Sequence, residues 1–231
     1  MKSVVLLSGG MDSTLTAAIA KRESDEVAAL HLNYRHRTET RELQAFHDVC
    51  AALGLDRKLV VDIAFLQDIG GSSLTDRSIE VSAADLDAEG IPSSYVPYRN
   101  GNFISIAASW AEVLGAERIY IGAVEEDGSG YPDCRRVFFD AVEKAVNLGT
   151  KPETSLSIMT PIIAMRKEEI VRRAIQLEAP LGLTWSCYQA EDLACGVCDS
   201  CALRLRGFAQ AGVEDPLPYR VRPDYTHLKH T

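Results

Sequence analysis

The chain has 231 residues and a formal net charge of −9 at pH 7. This length suits one large α/β domain with a small appendage, and the acidic balance argues against broad nucleic-acid binding, which depends on Lys and Arg neutralising phosphates. Its apolar runs fall short of the roughly 18 residues that cross a bilayer, and the apolar start is too short for a signal peptide. We therefore expect a cytoplasmic protein with no membrane or nucleic-acid partner.

Five short apolar runs alternate with helical patterns along the chain. The runs lack the in/out alternation of half-exposed strands, so they suit a parallel sheet buried on both faces. They are Val4–Leu7, Val27–Leu32, Leu59–Ile63, Ile119–Val124 and Ile158–Ile163. The helical patterns begin near Leu15, Leu43, Ile104, Phe138 and Ile170. Together they predict an α/β fold, a doubly wound open parallel five-stranded sheet, whose ligands bind beyond the carboxyl ends of the strands.

The chain divides into three predicted regions. Residues 1–184 form the α/β domain, residues 185–212 a cysteine-rich knuckle with a closing helix, and residues 213–231 an extended tail with three prolines. Residues 64–100 are rich in Gly, Ser and Asp and interrupt the alternation. This pattern predicts a long excursion over the ligand site and not a second domain.

The stretch SGGMDS, residues 8–13, follows the first predicted strand and opens the first helix. Gly9 and Gly10 allow backbone N–H groups to approach an anion, and the helix adds its positive N-terminal end. Asp12 lies in the first turn, where a carboxylate is favoured and is also suited to facing a magnesium ion. The stretch therefore predicts a phosphate-binding loop, the alternative being an ordinary tight turn that begins a helix.

The loop lacks both the Walker lysine and the G-x-G-x-x-G pattern. A Walker lysine reaches the terminal phosphates during transfer of the γ-phosphoryl group. A loop that binds through backbone N–H groups instead suits holding the β- and γ-phosphates as a unit, which leaves the α-phosphorus open to attack. The expected products of such a reaction are AMP and pyrophosphate.

The loop resembles the SGGxDS loop of the PP-loop ATP pyrophosphatases, a superfamily of GMP, NAD and asparagine synthetases and tRNA thiolases. Three further stretches occur in the order of one family within it: VPYRNGNF (residues 96–103), SGYPDCR (129–135) and ACGVCDSCALR (194–204). Over roughly residues 3–212 the chain resembles the QueC-type 7-cyano-7-deazaguanine synthases.

The resemblance implies a carbon–nitrogen ligase of queuosine biosynthesis. ATP, with magnesium, adenylates the carboxylate of 7-carboxy-7-deazaguanine, ammonia displaces AMP to give an amide, and a second activation dehydrates the amide to the nitrile. Free ammonium is the expected nitrogen donor because no glutaminase domain is evident, and related synthases suggest a homodimer. The implied ATP-binding residues are Ser8, Gly9, Gly10, Met11, Asp12, Ser13, Thr14 and Leu15.

The candidate catalytic residues are Asp12, Arg99 and Lys167. Arg99 and Asn100 follow a Val-Pro pair and open a helix, so both are expected to face the cleft, where a guanidinium suits a carboxylate or phosphate. The alternative for Arg99 is an exposed turn arginine. Lys167 follows the last predicted strand and is suited to contacting phosphate, although a solvated helix lysine has the same pattern.

The candidate substrate-binding residues are Arg99, Asn100, Asp127, Tyr131 and Asp133. A carboxylate in the loop after the fourth strand is placed to accept the N–H edge of a guanine-like ring, or else to stabilise a turn. Tyr131 is placed either to stack on that ring or to pack in the loop. For Cys134 we expect packing or substrate lining, because the chemistry needs no thiol.

Four cysteines crowd the C-terminal part of the chain: Cys187, Cys195, Cys198 and Cys201. Four thiolates at this spacing suit one tetrahedral, structural zinc per subunit, whose charge Arg204 and Arg206 would partly offset. The alternatives are an iron–sulfur cluster, against which the absent C-P ending argues, or no metal.

One short run departs from the family. After the second strand the family usually has Tyr-Gly-Gln-Arg-His, whereas this chain has Tyr34-Arg35-His36-Arg37-Thr38. The change adds charge beside the ATP loop.

Two other functions were weighed against the nitrile-forming ligase. A PP-loop tRNA thiolase predicts a basic RNA-binding face or an additional domain, and neither is evident at this length and charge. A non-catalytic adenine-nucleotide sensor predicts ATP binding without pyrophosphate release.

Overall fold

The computed structural model describes residues 1–86, 90–125 and 130–226 of the chain. Its strands are β1 (Lys2–Leu6), β2 (Glu26–Asn33), β3 (Lys58–Asp62), β4 (Arg118–Tyr120) and β5 (Ser157–Met159). Its helices are α1 (Met11–Glu23), α2 (Glu39–Leu53), α3 (Phe65–Ile69), α4 (Arg99–Leu114), α5 (Arg136–Gly149), α6 (Lys167–Gln176) and α7 (Asp199–Ala211). Within these described ranges, every helix is too short or too polar to span a membrane.

The five strands form one parallel sheet in the order β3-β2-β1-β4-β5, which confirms the predicted fold. In β1, Val4 pairs with Ala28 of β2 on one side and with Ile119 of β4 on the other. The strand order reverses between β1 and β4, and such a reversal opens a crevice at the carboxyl edge. The loop that follows β1 lies at this crevice.

Apolar residues cover both faces of the sheet, as expected for buried parallel strands. On one face the core contains Leu15 of α1, Phe46 of α2, Ile170 of α6 and Phe208 of α7. The other core contains, among others, Ile104 of α4 and Phe139 of α5. Each fully buried side chain of this size contributes about 1.5–3 kcal/mol, so the sheet is held rigidly beneath the crevice.

Strands β4 and β5 are shorter than the apolar runs predicted. Residues 121–124 and 160–163 continue past the sheet without strand structure. The close approach of Gly122 to α1 shows why the first of these segments is irregular: a Cβ at Gly122 would lie 3.0 Å from the backbone of Asp12 and Ser13. Residues 121–124 line the cavity at this edge of the sheet.

Two glycines end helices where the sequence predicts. Gly54 follows α2 with φ of 65°, and Gly115 follows α4 with φ of 62°. This left-handed conformation suits glycine and lets its N–H bond a carbonyl of the last helical turn.

Residues 64–86 and 90–98 contain one short helix, α3, and otherwise irregular structure. Arg37 anchors this excursion, since its guanidinium donates to Ser73 O at 2.7 Å and to Ile79 O at 2.8 Å. Further along, Ala84 N donates to Val197 O at 2.7 Å. The excursion is thus tied both to the segment after β2 and to the cysteine-rich region.

The tail from residue 213 to residue 226 runs without regular structure but is packed. Leu217 and Asp215 are each 3% exposed. Ala194 N donates to Pro218 O, and Arg220 N donates to Ala194 O. The tail thereby pairs with the segment that precedes Cys195.

Candidate active site

A cavity of about 260 Å³ opens at the carboxyl edge, between β1 and β4. Several parts of the chain contribute to its wall: the loop after β1, β2 and the residue that follows it, α2, the first turns of α4 and α6, the segment after β4, and residues near the cysteine cluster. The polar and charged side chains among its lining residues are Ser8, Asp12, Ser13, Tyr34, Glu42, Arg99, Asn100, Tyr131, Lys167, Ser186, Tyr188, Ser200 and Arg204.

The loop after β1 turns directly into α1. Gly10 is extended, with φ of −77° and ψ of 166°, and helix α1 begins at Met11. Ser8 Oγ accepts the Gly10 N–H at 3.2 Å, and Ser13 Oγ donates to Gly10 O at 3.0 Å. The two serine hydroxyls, 3.0 Å apart, therefore lie together at the helix N-terminus, where an anion is favoured.

Gly9 has a packing role as well as a conformational one. Its φ is +93°, and a Cβ there would lie 2.7 Å from Phe46 N and 2.8 Å from Ala45 Cβ, both in α2. Trp185 N also donates to Gly9 O at 2.9 Å. The loop is thus fixed from behind by α2 and by the segment that precedes the first clustered cysteine.

Asp12 and Lys167 form an ion pair at the first turns of two helices. Lys167 Nζ donates to Asp12 Oδ2 at 2.7 Å, and the lysine is buried. Both residues line the cavity beside the loop. A lysine held here places a positive charge at the N-terminus of α1, whose dipole favours an anion.

Arg99 lies in the cavity wall on the first residue of α4. Its Nη1 donates to Tyr34 Oη at 3.2 Å, and its guanidinium carbon lies 5.7 Å from the centres of the Tyr34 and Phe103 rings. Its Nε is buried and has no hydrogen-bond partner among the described residues. A buried guanidinium with an unused donor suits an anionic ligand such as a carboxylate.

Asn100 and Asp133 bond to each other. Asp133 Oδ2 accepts the Asn100 N–H at 2.9 Å, and Asn100 Nδ2 donates to Asp133 O at 3.0 Å and to Cys134 Sγ at 3.3 Å. Asp133 is 3% exposed and is absent from the cavity wall. Its carboxylate satisfies a free N–H at the start of α4 and thereby positions the neighbouring Arg99.

Tyr131, Cys134 and Tyr188 form a largely buried wall beside Arg99. Tyr131 Oη lies 2.8 Å from Ser94 Oγ. Burial raises the pKa of both tyrosines, and it raises that of Cys134 to about 11, with Asp133 adding to the effect. All three groups are therefore un-ionised at neutral pH, which suits lining a site and not nucleophilic attack.

Among the described residues, the structure brings most of the candidate catalytic, ATP-binding and substrate-binding residues to one cavity, with four exceptions. Gly9, Thr14 and Leu15 lie behind its wall, as does Asp133. Asp127 lies outside the described residues. The cavity is also lined by four residues that were not predicted from the sequence: Tyr34, Glu42, Phe103 and Tyr188. Glu42 occupies a polar position of an amphipathic helix, so the sequence pattern does not distinguish it from a surface residue. Tyr188 directly follows Cys187, so its place near the site could have been inferred from the cysteine cluster.

The run from Tyr34 to Thr38 shows how this chain accommodates its departure from the usual pattern. Arg35 has φ of 61°, a left-handed conformation that favours the glycine usual there. Its N–H donates to Glu39 Oε2 at 2.6 Å and its guanidinium to Asp62, which offset the strain. Thr38 Oγ1 donates to Cys187 O at 3.1 Å. The altered run therefore contacts the cysteine-rich region directly.

The four clustered cysteines are free thiols whose sulfur atoms lie within 4.8 Å of one another. Sulfur atoms around one tetrahedral zinc, at about 2.3 Å from it, lie roughly 3.8 Å apart, and Cys195 Sγ is 3.9 Å from Cys201 Sγ. Backbone N–H groups of Gln189, Ala190 and Cys195 point to Cys187 Sγ at 3.3–3.4 Å. The residues fit a metal ion with four sulfur ligands and no open position.

Arg204 is paired with the tail of the chain. Its Nε and Nη2 donate to the two Asp215 oxygens at 2.7 and 2.9 Å, and its Nη1 donates to Thr184 Oγ1 at 2.7 Å. Tyr219 Oη also donates to Asp215 Oδ2 at 2.7 Å. This buried network fastens α7 and the tail to the segment behind the phosphate loop.

Comparison with known proteins places this geometry in a family. A relative from Chlorobium chlorochromatii, named 7-cyano-7-deazaguanine synthase, is 57% identical over 225 residues, which cover 97% of this chain and 99% of the relative. A relative of the same name from Chlorobaculum tepidum is 58% identical, with the same coverage. An NH3-dependent NAD synthetase from Campylobacter jejuni is structurally similar with a TM-score of 0.47 and 20% identity, over 79% of this chain and 66% of that one. The family model described as "Queuosine biosynthesis protein QueC" matches residues 2–212, and the chain belongs to that family.

Proposed function

We propose that this protein is an ATP-dependent ligase that converts 7-carboxy-7-deazaguanine and ammonium to 7-cyano-7-deazaguanine in queuosine biosynthesis. The observation that carries the proposal is the match to the QueC family together with relatives of the same named activity at 57–58% identity. These relatives favour the ligase over a tRNA thiolase.

The cavity provides a place for each part of the reaction. The N-terminus of α1, with the Ser8 and Ser13 hydroxyls, binds the β- and γ-phosphates of ATP, and Lys167 adds a positive charge beside them. Asp12, the carboxylate partner of Lys167 in the ion pair, is suited to orienting the magnesium that accompanies ATP. The α-phosphorus then faces the remainder of the cavity.

The substrate occupies the part of the cavity near α4 in this proposal. Arg99 binds its carboxylate, and Tyr131 and Tyr188 pack against the deazapurine ring, since a ring of this kind stacks on aromatic side chains. Asn100 and Asp133 hold the start of α4 in place. The substrate carboxylate then attacks the α-phosphorus, pyrophosphate leaves, and ammonia displaces AMP from the adenylated acid.

The cysteine cluster is proposed to bind one structural zinc per subunit. The ion would hold the segment from Cys187 to Cys201 in a fixed conformation, and this segment supports Tyr188 and Ser200 in the cavity wall. Elemental analysis of the purified protein is expected to give one zinc per chain and no stoichiometric iron. Iron with acid-labile sulfide would contradict this assignment.

A cytoplasmic homodimer acting on small molecules, with no nucleic-acid or membrane partner, completes the proposal. Its support is the biosynthetic family and the acidic net charge. Sedimentation equilibrium is the direct measurement of the oligomeric state.

The test of the function is mass spectrometry of products after incubation with ATP, magnesium, ammonium chloride and 7-carboxy-7-deazaguanine. The expected products are the nitrile, AMP and pyrophosphate. Formation of ADP and phosphate would contradict adenylation. Accumulation of the amide alone would show that only the first activation takes place, with Arg35, His36 and Thr38 the first residues to replace.

A further inference from the structure

Two carboxylates line the cavity among the described residues, those of Asp12 and Glu42. Asp12 is paired with Lys167. Glu42 Oε2 lies 3.1 Å from His36 Nε2, so the imidazole contacts one oxygen of the carboxylate. Otherwise the Glu42 side chain accepts no hydrogen bond from the described part of the chain. Its carboxylate therefore has acceptor positions that the fold leaves unused.

Glu42 stands between the phosphate loop and Arg99. Its backbone oxygen would lie 2.9 Å from a Cβ at Gly9, so this turn of α2 lies directly against the loop. In the other direction, the His36 ring stacks on the Tyr34 ring with 4.3 Å between their centres, and Tyr34 Oη contacts Arg99 Nη1. An acyl-adenylate joins the α-phosphate, which faces the cavity next to the loop, to the carboxylate, held at Arg99. The nitrogen nucleophile must reach the carbonyl carbon in the space between the loop and Arg99.

The charge on Glu42 suits a cationic ligand. Burial opposes its ionisation, but His36, His31 and Arg99 together lower the pKa of the carboxyl group on balance. Glu42 is therefore ionised at neutral pH. Arg99 matches the anionic acid, and Glu42 matches a cation, which among the substrates of the proposed reaction is ammonium.

Buried nitrogen atoms beside Glu42 supply a second observation. Neither ring nitrogen of His36 makes a hydrogen bond within the described residues, and His36 is 6% exposed. Buried polar atoms in native proteins are normally hydrogen-bonded, so such atoms indicate a missing partner. Ammonium donates hydrogen bonds in four directions, and the Glu42 carboxylate has oxygen acceptor positions to receive them.

We infer that Glu42, positioned by His36, is the binding site for the ammonium substrate. The inference rests on the proposed function. In this arrangement Glu42 holds ammonium beside the carbonyl carbon of the acyl-adenylate, and His36 sets the orientation of the Glu42 carboxylate. Ammonium passes one proton to this carboxylate, and the resulting ammonia attacks the carbonyl carbon as AMP leaves.

The test separates ammonium binding from the steps that precede it. The variant Glu42→Gln keeps the size of the side chain and removes its charge. Steady-state kinetics with ammonium chloride as the varied substrate are expected to show KM for ammonium raised at least about tenfold. Pyrophosphate exchange into ATP, which needs only ATP, magnesium and the carboxylic acid, is expected to stay within about twofold of the unmodified protein.

Two further variants make the comparison specific. His36→Gln is expected to raise KM for ammonium by a smaller factor and to leave pyrophosphate exchange unchanged. The reason is that the Glu42 carboxylate loses its contact with the imidazole but keeps its charge. Asp48→Asn neutralises a carboxylate of α2 that bonds Gln44 and is absent from the cavity wall, and it is expected to leave all constants unchanged.

Three outcomes would overturn the inference. An unchanged KM for ammonium in Glu42→Gln would remove Glu42 from the ammonium site. A raised KM for the carboxylic acid in the exchange reaction would show that Glu42 reads the N–H edge of the purine. A changed magnesium requirement would assign it to the metal. Absence of exchange in the unmodified protein would instead contradict the proposed function itself.

Discussion

Lys167 Nζ lies 2.7 Å from Asp12 Oδ2, so one ion pair joins the first turns of α6 and α1 at the mouth of the phosphate loop. Lys167 Cβ is also held closely, because a Cβ at Gly207 of α7 would lie only 2.7 Å from it. A lysine fixed at both ends of its side chain is prearranged to meet developing phosphate charge, and prearranged charges contribute most to catalysis.

Replacing Lys167 by methionine is therefore expected to reduce pyrophosphate exchange at least about a hundredfold. The matched control is Lys21→Met, which removes a lysine at the opposite end of α1, where it donates to Leu53 O. This control is expected to keep the exchange rate of the unmodified protein. Equal losses in the two variants would show that the effect of Lys167 is structural.

The two loop glycines are expected to differ in their tolerance of alanine. Gly9→Ala combines a positive φ with contacts under 3.0 Å to α2, so the free energy of unfolding is expected to fall by about 2–4 kcal/mol. Gly10→Ala has a negative φ and a nearest contact of 3.3 Å to Ser8 Oγ, and a loss below about 1 kcal/mol is expected. Urea unfolding of both variants measures the difference. Similar decreases in the free energy of unfolding of the two variants would mean that α2 moves to accommodate a side chain at position 9.

Asp215→Ala tests the network behind the site. It leaves the buried Arg204 guanidinium without its paired charge, which typically costs about 3–5 kcal/mol of stability. The control is Asp192→Ala, because the Asp192–Arg220 pair is exposed and such pairs contribute at most about 1 kcal/mol. Chemical denaturation monitored by tryptophan fluorescence suits the comparison, since Trp185 lies near this network. A smaller loss of stability in Asp215→Ala than in Asp192→Ala would contradict the conclusion that Asp215 holds the network behind the site together.

The raised pKa of Cys134 predicts a loss of stability at alkaline pH. Burial holds this pKa at about 11 in the folded protein, whereas an unfolded thiol titrates near about 8.5. The folded state therefore binds the proton more tightly, and its contribution is complete below about pH 8.5 and is lost as pH rises through about 11. The free energy of unfolding is expected to fall less steeply over this range in Cys134→Ala, by up to about 1.4 kcal/mol per pH unit. Parallel curves for the two proteins would show that Cys134 does not contribute.

Features that depend on residues close to one another in the sequence could be predicted from it. The five strands, the loop after β1 and the helix ends at Gly54 and Gly115 all follow from local patterns of apolar residues and glycine. The cysteine cluster was predictable because ligand spacing within one short segment constrains which atoms can meet.

Contacts between distant segments were not predictable in this way. Asp133 bonds the start of α4, 33 residues earlier in the chain, so its carboxylate is used before any ligand arrives. Arg204 meets Asp215 because the tail folds back over α7, and the spacing of charges along the chain does not reveal this pairing. Glu42 reaches the cavity only because α2 packs against Gly9, a close approach that appears only in three dimensions.

The hydrogen bond from Trp185 N to Gly9 O has a consequence for synthesis of the chain. The phosphate loop leaves the ribosome among the first residues, but the segment that supports it is made about 175 positions later, and Asp215 in turn holds that segment through Arg204. Contacts this distant along the chain form late in folding. The support behind the loop is therefore complete only after the residues from Trp185 to the tail have been synthesised.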